Sequence, residues 1–240
     1  NDRYVHLLLD GINMKIRSAI ASSRKAILVA YGITIDGKRE IIDFYQAPSE
    51  SEEAWYSFLN NLYRRGLEGK HLKLTICDGN SALLKSIRAL YPLFPSSDAY
   101  VHKLRNIASH LPKKRQLEVL LGAKVIYKAS NKKEAAKLFK TWKRQWVGKF
   151  PKAVVCLEKD IDDLLTFLDF PVPHQTKTRT TNAIERSFRE IRRRTRPMSC
   201  FTNAKSCDWI TYGIIHHLNN KWEDKPLKEF TQISDVTFGL

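Results

Sequence analysis

The 240-residue chain is predicted to have an α/β fold, in which a mixed sheet of about five strands with flanking helices is interrupted by a mostly helical insertion. Two observations predict this class. Apolar runs of strand length alternate with turn residues in the first hundred residues. From roughly residue 103 to 175 the apolar spacing changes to a period of about 3.6. We therefore expect a core in two parts, 1–102 and 176–240, and an insertion at 103–175.

A meander of three strands is expected at the start of the chain, followed by strand–helix units. Asp36 and Gly37 form a turn pair typical of a β-hairpin, so the runs on either side of them should pair. Ser51 is expected to cap an amphipathic helix that ends near Gly66. The predicted elements are strands Tyr4–Leu9, Lys25–Ile35 and Glu40–Tyr45, helix Glu52–Leu67, strand Leu72–Cys77, a helix from Asn80 or Ser81 through Leu90, and a short strand near Ala99–Val101.

Helices are predicted for most of the remaining chain. Proline and glycine residues divide the insertion into separate helices. After it, a long helix should begin at a capping residue, bury an apolar stripe and end where Pro197 interrupts it. The cap candidates are Thr180, Thr181 and Asn182, the stripe is Ile184, Phe188 and Ile191, and the other helices are Lys103–His110, Lys114–Gly122, Lys132–Trp146, Asp160–Phe167 and Cys207–Trp222.

Composition excludes several classes of protein. An apolar content of 43% is too high for a disordered polyelectrolyte, and no run reaches the roughly 18 apolar residues of a membrane span. Four cysteines without a Cys-x-x-Cys pair are typical of an intracellular protein. The chain opens without an initiator Met or a signal sequence, which indicates a fragment of a longer intracellular protein.

The net charge of +16 favours a polyanionic partner, although charge alone leaves DNA, RNA and anionic membranes as alternatives. Residues 1–100 carry 13 basic and 11 acidic side chains, whereas 101–240 carry 28 basic and 14 acidic ones. In the insertion we expect cations to face a DNA backbone and aromatic side chains to face the core. The cations are Lys132, Lys133, Lys137, Lys140, Lys143, Arg144 and Lys149, and the aromatics are Phe139, Trp142 and Trp146.

Three carboxylates have positions typical of metal ligands for phosphoryl transfer. Asp10 and Asp78 each follow an apolar strand pattern, and Glu185 lies on the arginine-rich helix beside its buried stripe. Carboxylate oxygens are the ligands that pairs of Mg²⁺ ions prefer. Each position also has a structural alternative: a turn residue at Asp10, a helix cap at Asp78 and an ion pair between Glu185 and Arg189.

Four segments resemble the mutator-like transposases of insertion elements. The string Thr180-Thr-Asn-Ala-Ile-Glu-Arg, continuing to Arg192-Arg-Arg-Thr-Arg, is similar to their third-carboxylate helix. The segments 7–17 and 77–87 resemble their two aspartate strands, and Val101-His-Lys-Leu-Arg-Asn resembles their His-x-x-Arg-Asn segment. One departure is Ala99, which stands where the family often has the Cys of a Cys-x-x-His pair, so no Cys/His metal clip is expected.

The resemblance implies an RNase H-like core and a DDE-type DNA transposase catalytic domain. Asp10, Asp78 and Glu185 would be the catalytic triad and would hold two Mg²⁺ ions, for which Mn²⁺ can substitute. The reaction would be hydrolysis at the transposon ends, followed by transfer of the freed 3′-hydroxyl into target DNA. The implied partners are double-stranded DNA and a second copy of the chain, and no membrane.

Residues around these motifs are expected to contact DNA, namely His102, Arg105, Lys177, Arg179, Asn182, Arg189, Arg192, Arg193 and Arg194. Two other functions stay open at this point. One is an RNase H-like nuclease that hydrolyses DNA without strand transfer. The other is a domesticated DNA-binding protein without catalysis.

Overall fold

The structure, a computed structural model, describes residues 2–17, 22–77, 80–92, 96–98, 100–178, 182–198 and 200–231. Its strands are β1 (Tyr4–Arg17), β2 (Ser22–Thr34), β3 (Arg39–Ala47), β4 (Leu74–Cys77) and β5 (Ser96–Asp98). Its helices are α1 (Glu52–Arg64), α2 (Ser81–Leu90), α3 (Tyr100–Ser109), α4 (Lys113–Ile126), α5 (Lys132–Trp146), α6 (Pro151–Glu158), α7 (Ile161–Leu165), α8 (Val172–Thr178), α9 (Asn182–Thr195), α10 (Ala204–Trp222) and α11 (Lys228–Thr231).

One mixed sheet has the strand order β3-β2-β1-β4-β5. The first three strands are antiparallel neighbours, with Asp10 opposite Val29. β4 runs parallel to β1, with Leu8 opposite Ile76, and β5 runs parallel to β4. Four strands have four or more residues, and β5 adds a three-residue strand at the edge. The predicted mixed α/β class is therefore confirmed.

The last predicted strand of the first core part is in the wrong place. The sequence predicts it near Ala99–Val101, but β5 lies at Ser96–Asp98 and α3 begins at Tyr100. The first residue of the predicted range lies outside the described residues. The helix is favoured because its apolar side chains recur at helical spacing, and Leu104 and Ile107 are buried in the core of the insertion.

Prolines separate the helices of the insertion as predicted, but Gly122 does not. Gly122 does not end a helix, because α4 continues to Ile126. Pro151 begins α6, and Pro171 directly precedes α8. Proline suits a first helical turn, since its φ is already helical and its missing N–H would have no partner there.

Several predicted helices are confirmed, and two of them begin at side-chain caps. α5 has the predicted bounds, and the side chain of Asn131 accepts a hydrogen bond from the backbone N–H of Glu134 at 2.9 Å. α9 ends before Pro197, as expected. α10 begins three residues earlier than predicted, because Asn203 and Ser206 form a capping box. No helix of the described part is both long enough and apolar enough to cross a bilayer.

The apolar side chains form three clusters. Because side chains alternate along a strand, Leu8 and Ile12 of β1 pack against α9 and α10, whereas Leu7 and Leu9 pack against α1 and α2 on the other face of the sheet. The third cluster consists of residues between 104 and 167 and holds the insertion together. The boundaries of the three predicted parts, 1–102, 103–175 and 176–240, stay predictions.

A buried histidine lies near the start of β1. His6 is 1% exposed, and its ring meets the rings of Phe170 and Phe230 edge-on at centroid distances of 5.1 and 5.6 Å. Burial, and then the charges of His174 and Lys73, lower the pKa of His6 to about 3. His6 is therefore neutral in the folded protein at neutral pH.

We expect the free energy of unfolding to fall as the pH drops below 6.5, the ordinary pKa of an unfolded histidine. The unfolded chain then binds a proton that folded His6 takes up only near pH 3, so this residue contributes a loss of up to about 1.4 kcal/mol per pH unit. Urea unfolding of wild type and His6→Leu between pH 7 and pH 5 measures the effect. The variant should have the flatter pH profile, and identical profiles would contradict the assignment.

α4 and α5 approach each other closely at Gly122. A Cβ at this position would lie 2.8 Å from Cδ1 of Trp142. The indole has little freedom to move, because Trp142 is 3% exposed and its Nε1 donates to the carbonyl of Val119 at 3.0 Å. In α10, by contrast, a Cβ on Gly213 would meet no atom within 4 Å.

The two helical glycines should therefore respond oppositely to substitution. Gly122→Ala should lower the free energy of unfolding by about 1 kcal/mol or more through overpacking. Gly213→Ala should raise it by about 0.5–1 kcal/mol, because alanine favours a helix. Chemical unfolding of both variants provides the measurement. Shifts of the same sign would be inconsistent with the close approach at Gly122.

Candidate functional site

Asp10 lies inside the central strand, and not at its end as predicted. β1 continues to Arg17, and Asp10 pairs with Val29 in the ladder. The turn alternative for this residue is therefore wrong. Its side chain is on the same face of β1 as Leu8 and Ile12, which pack against α9. The residue is 7% exposed, and Oδ1 accepts a hydrogen bond from the N–H of Gly11 at 2.7 Å.

Asp78 directly follows β4 in the sequence and lies outside the described residues. The structure describes the start of the next helix. Asn80 caps α2, and its side chain accepts a hydrogen bond from the backbone N–H of Ala82 at 2.9 Å. The sequence offered Asn80 or Ser81 as this cap, and Asn80 is confirmed. Asn80 therefore has the capping role that was the structural alternative for Asp78.

Glu185 lies beside the buried stripe of α9. Ile184 and Phe188 are 0% and 3% exposed and share a cluster with Leu8 of β1, which confirms the predicted stripe. The side chain of Glu185 is 40% exposed, and its Oε1 lies 3.6 Å from Nε2 of His102. The contact becomes an ion pair when His102 is protonated.

α3 brings two predicted DNA contacts to this carboxylate. The side chain of His102 is 19% exposed, and its Nδ1 lies 3.5 Å from Nη1 of Arg105. The chain of contacts from Arg105 through His102 to Glu185 links α3 to α9. His102, the last residue of the predicted first core part, therefore meets Glu185 of the predicted last core part at the site.

The arginines of α9 divide into two sets. Residues three, four or seven apart share a helix face, so Arg189 and Arg192 lie on the side of Glu185. Arg193 and Arg194 instead donate hydrogen bonds to Glu190, at 2.8–3.0 Å. These bonds, first from Arg193 and then from Arg194, lower the pKa of Glu190 to about 2.

The structure does not describe the side chains of three residues that are predicted to contact DNA. Lys177 belongs to α8 and Asn182 begins α9, but the structure describes neither side chain. Arg179 lies outside the described residues, as do the alternative caps Thr180 and Thr181. Their roles stay predictions.

A groove follows the open edge of β1 beyond the site. Two backbone hydrogen bonds close its far end, from the N–H of Arg17 to the carbonyl of Phe201 at 2.8 Å and from the N–H of Phe201 to the carbonyl of Lys15 at 3.0 Å. Lys15 and Arg196, which the sequence did not single out as DNA contacts, line this groove together with Arg192 of the Glu185 side. Its lining is Asn13, Met14, Lys15, Arg192, Thr195, Arg196, Cys200 and Phe201.

A further carboxylate that the sequence analysis missed lies against Gly11. A Cβ built on Gly11 would be 2.5 Å from Cδ of Glu50 and 2.7 and 2.8 Å from its two oxygens. Glu50 holds this position because it precedes Ser51, the cap of α1. A glycine inside a strand often marks the close approach of another group. Gly11 was therefore the feature of the sequence that could have indicated this contact.

Asp10 and Glu185 have the hard oxygen atoms that Mg²⁺ prefers. Within the residues that the structure describes, no group of three His, Cys, Asp or Glu side chains is arranged to hold a metal ion. Asp78 lies outside that part of the chain. The described residues thus contain two of the three predicted ligands, and their chemistry suits the predicted ion.

The basic face of the insertion has the predicted division between core and surface. Phe139, Trp142 and Trp146 are buried, as expected. Two of the seven cations form ion pairs, Lys132 with Asp169 and Lys143 with Glu158. The other five are exposed on α5 or just after it: Lys133, Lys137, Lys140, Arg144 and Lys149.

Sequence comparison supports a specific family. The family profile described as "Transposase, Mutator family" matches residues 1–225. The transposase for insertion sequence element IST2 of Acidithiobacillus ferrooxidans is 38% identical over 199 residues, covering 83% of this chain and 67% of the relative. The transposase for ISRM5 of Rhizobium meliloti (strain 1021) is 32% identical over 219 residues, covering 91% of this chain and 54% of the relative.

The fold and site define a mixed α/β protein whose central strand holds a buried carboxylate beneath an arginine-rich helix. The chain belongs to the Mutator family of transposases. It spans between about half and two thirds of the length of these relatives.

The helix that carries His102 is anchored by a largely buried ion pair. Lys103 is 5% exposed and pairs with the carboxylate of Asp160, whose side chain is 31% exposed. We expect Lys103→Met to lower the free energy of unfolding by about 2 kcal/mol, less than for a fully buried pair because water reaches the carboxylate.

A double variant isolates the charge effect. Lys103→Met with Asp160→Asn should recover at least half of the loss, because no unpaired charge remains. Urea unfolding of wild type, Lys103→Met, Asp160→Asn and the double variant measures these quantities. If the double variant is as unstable as the sum of the two single substitutions, the ion pair is not the cause.

Proposed function

We propose that this chain is the catalytic part of a DDE-type DNA transposase. The observation that carries the proposal is the packing of α9 over β1, which sets Glu185 beside a stripe of arginines on the face of the sheet where Asp10 is buried. Family membership supports it, and the relatives are named transposases for insertion sequence elements. The proposed substrate is double-stranded DNA, as transposon ends and as target, bound by a homodimer.

An RNase H-like core is part of this proposal. The strand order β3-β2-β1-β4-β5 supports it, with an antiparallel meander followed by two strands parallel to β1. The position of helices α3 to α8 between β5 and α9 supports a helical insertion between the second and third carboxylates.

The proposed metal ligands are Asp10, Asp78 and Glu185, holding two Mg²⁺ ions for which Mn²⁺ can substitute. When bound, such ions supply positive charge to the attacking and leaving oxygens of a phosphodiester. The parallel pairing of Leu8 with Ile76 supports this set, because Asp10 and Asp78 each come two residues later in the sequence.

The chain's own cations would position the DNA. Guanidinium groups hold phosphates through paired hydrogen bonds, and Arg189 and Arg192 lie on the face of Glu185. His102, 3.6 Å from Glu185, would orient that carboxylate, and Arg105 would restrain the imidazole ring. Hydrolysis at a transposon end would free a 3′-hydroxyl. Its oxygen would then attack a phosphodiester of the target and displace the 3′-oxygen of the target strand, which leaves as a hydroxyl.

Two conservative variants test the proposal. Asp10→Asn and Glu185→Gln should each slow the Mn²⁺-dependent nicking of transposon-end DNA by at least about a hundredfold, because each removes a ligand charge. Both should still bind the same DNA in EDTA. The matched control is Glu53→Gln, an exposed carboxylate of α1, which should nick at the wild-type rate.

The products separate the possible functions. Joining of the cut 3′-end to target DNA is the expected result. Nicking without joining would identify a nuclease that only hydrolyses. Tight DNA binding by wild type without any nicking would identify a non-catalytic DNA-binding protein, and wild-type rates in both carboxylate variants would overturn the site.

A further inference from the structure

A second basic cleft lies between α9 and α10, on the other side of α9 from Glu185. Tyr31 and Ile33 of β2 form its floor. Five cations and one carboxylate surround it, a net charge of +4, and the carboxylate, Glu190, is already shared by two of the arginines. These residues are Arg39, Arg186, Arg193, Arg194, Lys221 and Glu190.

Arg39 is the most constrained cation of this cleft. Its guanidinium carbon lies 5.3 Å from the centroid of the Trp222 ring, and that ring meets Tyr31 edge-on at 5.8 Å. The stacking fixes the direction in which the guanidinium presents its N–H groups. Its Nε is buried and has no hydrogen-bond partner among the described residues. A buried N–H without an acceptor is unfavourable, so the cleft is prepared for an anionic acceptor.

The remaining cations of the cleft are exposed to solvent along its length. Arg186 and Lys221 are exposed on facing helices, and the side chain of Arg193 is 67% exposed. A row of exposed guanidinium and ammonium groups along two helices suits successive phosphates of a polymer better than one enclosed small anion. This row of cations is separate from the arginines on the Glu185 side of α9, because the helix itself lies between the two sets.

We propose that this cleft binds the phosphate backbone of a second stretch of DNA, so that α9 contacts DNA on both of its exposed sides. The inference rests on the proposed function, since it takes DNA as the substrate. Arg39, stacked on Trp222, supplies the oriented contact, and Arg186 and Lys221 supply the neighbouring ones. A transposase must hold an end and a target together, and two phosphate-binding sides on one helix meet that need.

The test is the salt dependence of DNA binding, measured in EDTA so that no cleavage occurs. Each lost phosphate contact lowers the slope of log K against log salt by about 0.9. Arg186→Gln with Lys221→Gln, both exposed, should lower the slope by about 1–2 and should fold normally. Arg39→Gln should lower it by about 1. The control, Lys70→Gln with Lys85→Gln, removes the same charge from exposed positions away from α9 and should leave the slope unchanged.

Equal slopes in the cleft variants and the control would overturn the proposal. A second arm uses inorganic phosphate alone. Thermal stabilisation of wild type by phosphate that Arg39→Gln loses, with unchanged DNA slopes, would make the cleft a site for a free anion and would also overturn it. Because binding is measured without metal, loss of nicking in wild type would refute the catalytic proposal and leave this result intact.

Discussion

The burial of one apolar stripe on α9 is the constraint on which the rest of the site depends. Ile184, Phe188 and Ile191 leave water by packing against the sheet, where Leu8 and Ile12 of β1 lie. This packing sets the rotation of α9 about its own axis. The rotation also fixes the directions of the residues next to the stripe. A carboxylate and arginines face solvent on one flank of α9, and further arginines face solvent on the other.

The packing of apolar side chains does not explain why the central strand contains a buried carboxylate. β1 is buried on both faces over much of its length, yet Asp10 stands in its middle at 7% exposure. A buried carboxylate is unfavourable unless other groups compensate it, and an apolar residue would serve the core better. Gly11 next to it leaves room for the carboxylate of Glu50. Because side chains alternate along a strand, the carboxylate of Glu50 and that of Asp10 lie on opposite faces of β1.

The positive charge of the protein is organised by internal ion pairs. The short acidic segment 158–169 supplies partners to four cations of three helices, α2, α3 and α5, which joins the insertion to the core. The pairs are Glu158 with Lys143, Asp160 with Lys103, Asp163 with Arg88 and Asp169 with Lys132. Glu190 does the same for two arginines of α9. The cations that lack such partners among the described residues stand on outer surfaces, where a polyanion can reach them.

Features with a local cause could be predicted from the sequence. The period of apolar residues determined α5, the stripe of α9 and the buried aromatics, and the caps Ser51 and Asn80 determined where α1 and α2 begin. Neighbours within a few residues set these features. The sequence also singled out Asp10 and Glu185, but only the tertiary structure decided that His102 meets Glu185, that Glu50 lies over Gly11, and that Arg39 stacks on Trp222. Each of these contacts joins residues far apart in the chain, and their proximity comes from the packing of whole helices and strands, which no local pattern records.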